Sequence, residues 1–341
     1  MGRFRAYAGA GGHVRPLLLA CALVIAAFPA AKAQDPLFRS DVRLVNLLVT
    51  VRDADGRLVG GLDKEDFTVL DEGLPREIAV FERRTDRPLS VAVLVDASLS
   101  TAIELEYERT SAQRFFANFF GVGSHPNDRV AVFKFSEGVE LLAEFTRSQR
   151  TLERALGRVK PENGTSLYDA VLLASEELEE REGRRVIAVI TDGGDTTSYS
   201  GFDIALEAAH AADAVIFGIV VQPIRSDAGR NVGGENALRA MADNTGGQVF
   251  LPAGQEELDR TFDRILESLR TQYLLAYYPP PHDDPKTRFR RVQVQVTEPE
   301  AEVSARAGYY VPEERRLLPE SVSPAAPVET PKPPRRWRKA P

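Results

Sequence analysis

The sequence predicts an α/β protein: a doubly wound, mostly parallel sheet inserted into a small β-sandwich that both flanks build. Three observations predict it. Short continuous apolar runs alternate with helical stretches through the middle of the chain, as in a parallel sheet covered on both faces. Two of these runs end in an aspartate, at Asp96 and Asp192. Each flank carries strand-like text, but too few strands for a stable sandwich of its own.

In the central segment the expected strands are 91–95, 130–135, 186–191, 215–221 and 248–251, with 140–145 as an edge strand. Helices are expected at about 101–120, 148–159, 166–181, 202–213, 235–244 and 255–272. In the doubly wound order 3-2-1-4-5-6, strands 1 and 4 flank the switch point, where ligands bind at carboxyl ends. Strand 1 ends at Asp96 and strand 4 at Asp192, so this topology puts the two aspartates side by side.

The flanks read as antiparallel. Residues 42–51 are strand-like, and Asp55-Gly56 signals a hairpin turn before Arg57-Leu58-Val59. Asp53-x-Asp55-Gly56 lacks the later glycine and glutamate of a calcium loop, so it reads as a turn. Residues 67–70 and 78–81 give two short strands, and 273–278, 289–296 and 302–307 give more. The tyrosine pairs 277–278 and 309–310 should each send one ring inward. The expected division is a leader at 1–33, a central domain at 88–278, and a sandwich from 38–87 with 279–312. Residues 313–341 form a basic, proline-rich tail that cannot bury enough to fold.

The candidate site is a set of oxygen donors. Asp96-Ala97-Ser98-Leu99-Ser100 leaves the first strand, Gly164-Thr165 precedes a helix, and Asp192-Gly193 follows the fourth strand. A loop leaving a strand tip can turn every second side chain inward, which suits Asp96, Ser98 and Ser100. Two carboxylates and three hydroxyls suit a hard divalent cation. Asp195 competes with Asp192 but lies farther from the strand end, and Asp169 falls within a helix.

This set resembles the metal-ion-dependent adhesion site (MIDAS) of von Willebrand factor type A domains, whose fold is Rossmann-like. The resemblance covers roughly residues 88–278, and all five motif positions are matched: Asp96, Ser98, Ser100, Thr165 and Asp192. It implies that these five bind Mg²⁺, with Mn²⁺ or Ca²⁺ as alternatives. It also implies ligand binding rather than catalysis: a partner protein's Asp or Glu carboxylate completes the metal coordination. Loops 99–101, 121–128, 163–168 and 193–200 are expected to frame that contact, and helix 255–272 to couple to it. Asp-Phe-Thr-Val-Leu-Asp-Glu-Gly at 66–73 and Gly-Tyr-Tyr at 308–310 resemble a bacterial secreted subgroup called von Willebrand factor A-related.

Other features bound the function. Arg3, Arg5 and Arg15, the apolar stretch 16–31 and Ala31-Lys32-Ala33 form a secretory signal peptide ending before Gln34. Cys21 follows a lipobox-like Leu18-Leu19-Ala20, yet the apolar run continues beyond it. The protein is therefore expected in a periplasm or outside the cell, without cysteine and without a stable membrane span once cleaved. A net charge of −7 argues against general nucleic-acid binding. Two alternatives stand beside the binding module. One is a structural component whose metal only stabilises. The other is a phosphatase-like hydrolase with Asp96 as nucleophile, although Ser98 stands where that chemistry needs a second acid. No glycine-rich nucleotide turn follows the first strand, and no Gly-x-Ser-x-Gly elbow occurs.

Overall fold

The computed structural model describes residues 44–83, 86–101, 105–192, 194–221, 232–280 and 288–311. The expected leader and tail lie outside them. In chain order the strands are β1 (Val45–Arg52), β2 (Phe67–Asp71), β3 (Leu74–Arg76), β4 (Val80–Arg83), β5 (Leu89–Asp96), β6 (Arg129–Phe135), β7 (Val139–Thr146), β8 (Arg184–Thr191), β9 (Ala214–Val220), β10 (Gln248–Phe250), β11 (Tyr273–Tyr277), β12 (Phe289–Val296), β13 (Glu302–Ser304) and β14 (Gly308–Tyr310). The helices are α1 (Leu105–Phe119), α2 (Gln149–Leu156), α3 (Leu167–Glu179), α4 (Phe202–Ala211), α5 (Val232–Thr245) and α6 (Gln255–Thr271).

The central sheet has the order β10-β9-β8-β5-β6-β7. Counted from β5, this is the doubly wound order expected from the sequence. All neighbours pair in parallel except β7, which runs antiparallel at the edge beside β6. Both β5 and β9 are buried along their whole length, which is why they read as unbroken apolar runs. One face packs under α1, α2 and α6, with Phe115, Phe119, Leu152, Phe262 and Leu269 closing over Val91, Val93 and Val95. The other face packs under α3, α4 and α5, with Leu167, Val171, Ala205 and Met241 over Leu94, Ile187 and Val189. Each aliphatic side chain fully buried this way contributes about 1.5–3 kcal/mol.

The flanks form two four-stranded sheets, β13-β1-β11-β4 and β14-β12-β2-β3. Their shared core takes Val45, Leu47, Val49, Phe67, Val69, Tyr273, Leu275, Val292 and Val294 from both ends of the chain. β11 lies in the stretch expected for the central domain, yet it pairs antiparallel with β1 and β4, Leu47 opposite Leu275 and Phe81 also opposite Leu275. The central domain therefore hands over to the sandwich at Gln272, the residue capping α6, and not after Tyr278. All five β11 residues are buried. Alternate ones face the sandwich core, and Leu274 faces the central domain.

Smaller differences follow from local chemistry. Arg57-Leu58-Val59 makes only a bridge, Arg52 to Leu58, because Asp53 Oδ1 accepts the Asp55 and Arg57 amides and curls the chain. Residues 302–307 split into β13 and the approach to β14, and β3 is a strand that the sequence did not announce. The tyrosine pairs divide as expected: Tyr277 and Tyr309 are buried, while Tyr278 is 62% exposed. Among the described residues no helix is long and apolar enough to cross a membrane.

Candidate metal centre

Asp96 is the last residue of β5, and β8 beside it ends at Thr191, one residue before Asp192. Asp96 is fully buried, and both carboxylate oxygens are engaged: Oδ1 accepts the Ser98 amide at 2.8 Å and Oδ2 accepts the Thr191 hydroxyl at 2.6 Å. Burial pushes its pKa up to about 6; the Thr191 and Ser98 hydrogen bonds oppose that rise, and the Asp192 charge adds to it. The parallel pairing of β5 with β8 puts both carboxylates at the same end of the sheet.

A short 3-10 turn, Leu99–Thr101, shapes the first loop. The Thr101 hydroxyl donates to the Asp96 and Ser98 carbonyls at 3.2 and 2.9 Å, folding the loop back over the strand end. The Ser98 and Ser100 hydroxyls come within 3.0 Å of each other. Ser98 is buried and Ser100 exposed, so the pair runs from the interior to the surface.

Thr165 is buried and tied to the loop after Asp192. Its amide donates to the Thr196 and Thr197 hydroxyls at 3.0 and 3.1 Å, and its carbonyl accepts the Thr196 amide at 2.8 Å. The preceding Gly164 has φ of 78°, and an added Cβ would lie 2.9 Å from Thr197 Oγ1 and 3.0 Å from Glu137 Cα. A side chain there is both strained and crowded. The Glu162 amide donates to Ala97 O at 2.7 Å, joining this loop to the Asp96 loop. The three expected loops thus meet at the carboxyl end of β5 and β8. Gly193 lies outside the described residues.

Other residues carry the rim. Asp169, buried at the start of α3, accepts the Tyr199 and Ser200 amides at 2.9 Å each. Asp195 accepts from the Tyr168 amide at 3.2 Å and the Ser198 hydroxyl at 2.5 Å. Both acids brace the 195–200 loop. Glu162 receives Lys134 Nζ at 2.8 Å and the Ser136 hydroxyl at 2.7 Å. Those two partners, Lys134 first, hold its carboxyl below the usual range. The β6–β7 turn at Ser136-Glu137 was missed from sequence, although it accepts Ser166 and anchors this rim: Ser136 O takes the Ser166 amide at 2.7 Å. A polar turn of two strands carries no signature of what lies opposite it.

One expected framing loop is misplaced. Residues 121–128 precede β6, whose parallel pairing with β5 puts them at the opposite end of the sheet. There Asp128 Oδ1 accepts the Leu89 amide at 2.8 Å, at the start of β5. Strand direction, which a list of loops does not contain, decides this.

The donors at this sheet end are oxygen atoms of carboxylates and hydroxyls. Among the described residues no three His, Cys, Asp or Glu side chains cluster as metal ligands, so hydroxyls must complete any site that Asp96 and Asp192 begin. Oxygen-only donors with one deeply buried carboxylate are the chemistry of Mg²⁺ or Ca²⁺ rather than a soft metal.

Residues 91–194 match the family model for the von Willebrand factor type A domain. No curated protein matches the chain. Among solved structures, the chain is similar to the PilB minor pilin from Streptococcus sanguinis, at 12% identity and a TM-score of 0.44 over 55% of this chain; the match spans 62% of that chain. It is also similar to the vWF domain of the type V pili tip protein Mfa5 from Porphyromonas gingivalis, at 14% identity and a TM-score of 0.45, over 54% of this chain and 96% of that one. A von Willebrand factor type A protein from Catenulispora acidiphila matches at 12% identity and a TM-score of 0.46, over 80% of this chain and 75% of that one. With the matched segment running from β5 through β8 and its end loops, the chain carries a von Willebrand factor type A domain.

Proposed function

We propose that the protein is an exported binding module whose Asp96, Ser98, Ser100, Thr165 and Asp192 hold a divalent cation. Mg²⁺ is the first choice, with Mn²⁺ or Ca²⁺ as alternatives. A partner protein's Asp or Glu carboxylate would complete the coordination. One observation carries this reading: Asp96 is buried at the end of β5, Asp192 follows the end of the neighbouring β8, and two serine hydroxyls 3.0 Å apart lead outward. Two nearby carboxylates repel each other and favour a cation between them. Hydroxyl donors leave the ion's charge only partly neutralised, so it retains attraction for an anionic partner group.

The loops are already tied together by Thr165, Thr196, Asp169 and Asp195. The outer end of the donor set, Ser100, is exposed, which favours partner binding over a purely stabilising metal. Asp96 as a hydrolytic nucleophile is disfavoured because Ser98 stands where that chemistry needs a second acid. The exported location rests on the leader text, residues 1–33.

Titration calorimetry of Mg²⁺ and Mn²⁺ into EDTA-treated protein tests the reading. Saturable binding is expected in the wild type and lost in Asp96→Ala. Absence of binding in the folded wild type, or equal binding in the variant, overturns the metal assignment.

A further inference from the structure

We propose that the chain binds a small oxyanion, phosphate- or carboxylate-bearing, in a cavity at the end of the central sheet opposite the candidate metal centre. The cavity has a volume of about 270 Å³, roughly nine times a water molecule's share of the liquid. Its floor is the start of β8 and β9, and its roof is the face of β1 and β11 turned away from the sandwich core, through Asn46, Leu48 and Leu274. Strands of this length separate it from Asp96 by about 20 Å.

The wall is rich in guanidinium. Arg87, Arg184, Arg185 and Arg306 line the cavity against only two acids, Glu182 and Asp213. Arg306 is ion-paired with Asp213, and Arg87 with Glu82 at 3.0 Å. Among the described residues neither Arg184 nor Arg185 has a carboxylate in ion-pair contact. Both are turned onto carbonyls instead. Arg184 donates to Arg87 O at 3.3 and 3.2 Å and to Leu269 O. Arg185 donates to Arg181 O at 2.7 Å, Ala212 O at 2.8 Å and Glu179 O at 3.4 Å. Carbonyls orient a guanidinium but leave its net charge in place.

Arg184 is 7% exposed, and burial lowers its pKa to about 10, so it stays a cation at neutral pH. Asp128 and Asp86 attract it without contact. Burying a charge without a counter-ion is costly, and a bound anion would supply the counter-ion. His210 adds an acceptor on the wall that orients Arg306. It is 4% exposed, and its Nδ1 lies 3.1 Å from Arg306 Nη2. Arg306 can only donate, so Nδ1 accepts and Nε2 carries the proton. That Nε2 is turned away from the cavity, against Phe289 and Tyr310. Fixed guanidinium forks match carboxylate and phosphate oxygens better than they match a halide.

The test titrates inorganic phosphate, sulfate and citrate separately into the full chain, by calorimetry and thermal shift. The protein is stripped of metal with EDTA and then dialysed free of it, so the result is independent of the metal reading, and chloride holds the ionic strength constant. One saturable site is expected, weakened at least tenfold in Arg185→Gln and in Leu48→Phe, which narrows the cavity without changing charge. Response to phosphate and sulfate alone assigns a tetrahedral ligand; response to citrate alone assigns a carboxylate. If Arg185→Gln does not fold, Leu48→Phe decides. No saturable heat with any of the three anions overturns the proposal. So does binding that survives in the folded variants, or a thermal shift that chloride reproduces.

Discussion

At the residue scale the sandwich turns on Asp71. It is fully buried and accepts Tyr277 OH at 2.9 Å, Tyr309 OH at 3.1 Å, and Arg290 through Nε at 2.9 Å and Nη2 at 2.6 Å. Burial drives both tyrosine hydroxyls up, Tyr309 to about 12, so they stay protonated donors. Asp71→Ala leaves a half-paired cation and two hydroxyls without an acceptor, at a cost of about 3–5 kcal/mol. Urea unfolding checks this; a loss below about 1 kcal/mol would show that the network is dispensable. His210 gives a pH prediction. Burial, then Arg306, lowers its pKa from the ordinary 6.5 to about 3. It is neutral in both states above 6.5, so its contribution is intact there. Between 6.5 and about 3 the unfolded chain binds the proton and the folded chain does not, so stability falls with pH by about 1.4 kcal/mol per unit. Paired denaturation curves at pH 7 and 5 should show a smaller drop for His210→Gln than for the wild type.

At the element scale, turns set the register of strands. Gly183 precedes β8 with φ of 86°, and an added Cβ would lie 2.3 Å from Pro88 O, the acceptor of the Arg184 amide. Gly183→Ala combines left-handed strain with displacement of the β5–β8 start, at a cost of about 2 kcal/mol or more. A melting temperature within a degree of wild type would refute this. Gly164→Ala acts at the other sheet end, where the crowding falls on Thr197 and Glu137. Its expected signature is weakened Mg²⁺ binding with a modest loss of stability, read by calorimetry and thermal melting of one sample. Unchanged Mg²⁺ affinity would separate this loop from the cation.

At the scale of the whole molecule, the two parts share β11 and the junction around it. Thr50 and Ser268 hydroxyls lie 3.4 Å apart, and the Ala307 amide donates to Asn244 O at 2.9 Å. β1 shows its two faces to two cores, Leu47 to the sandwich and Leu48 to the helices of the central domain. A fragment of residues 88–278 therefore exposes β11 without β1 or β4, an unpaired apolar strand prone to self-association. A fragment of 88–272 omits it. Light scattering should find the longer fragment associating and the shorter one less so; the reverse order would argue that β11 belongs with the central sheet.

Much of this is legible in the sequence. Unbroken apolar runs such as 91–95 and 186–191 announce strands buried on both faces, because nothing polar survives there. The order of strands and helices then places Asp96 beside Asp192 without a structure, since the doubly wound connection leaves one arrangement at the switch point. The Asp-x-Ser-x-Ser spacing puts three oxygen-bearing side chains in one loop at a strand end. What the linear text lacks is direction and depth. The strand at 273–278 reads with the flanks although the expected central domain runs to 278, and only its pairing with β1 and β4 settles that it belongs to the sandwich. The 121–128 loop is polar like the others, and only parallel strand direction sends it to the far end. Arg184 and Arg185 open β8, and charged residues at a strand start carry no mark of depth, yet Arg184 is buried against carbonyls beneath the sandwich. Sequence records which groups a segment owns; burial and partners come from segments far away in the chain, and those only the packed structure brings together.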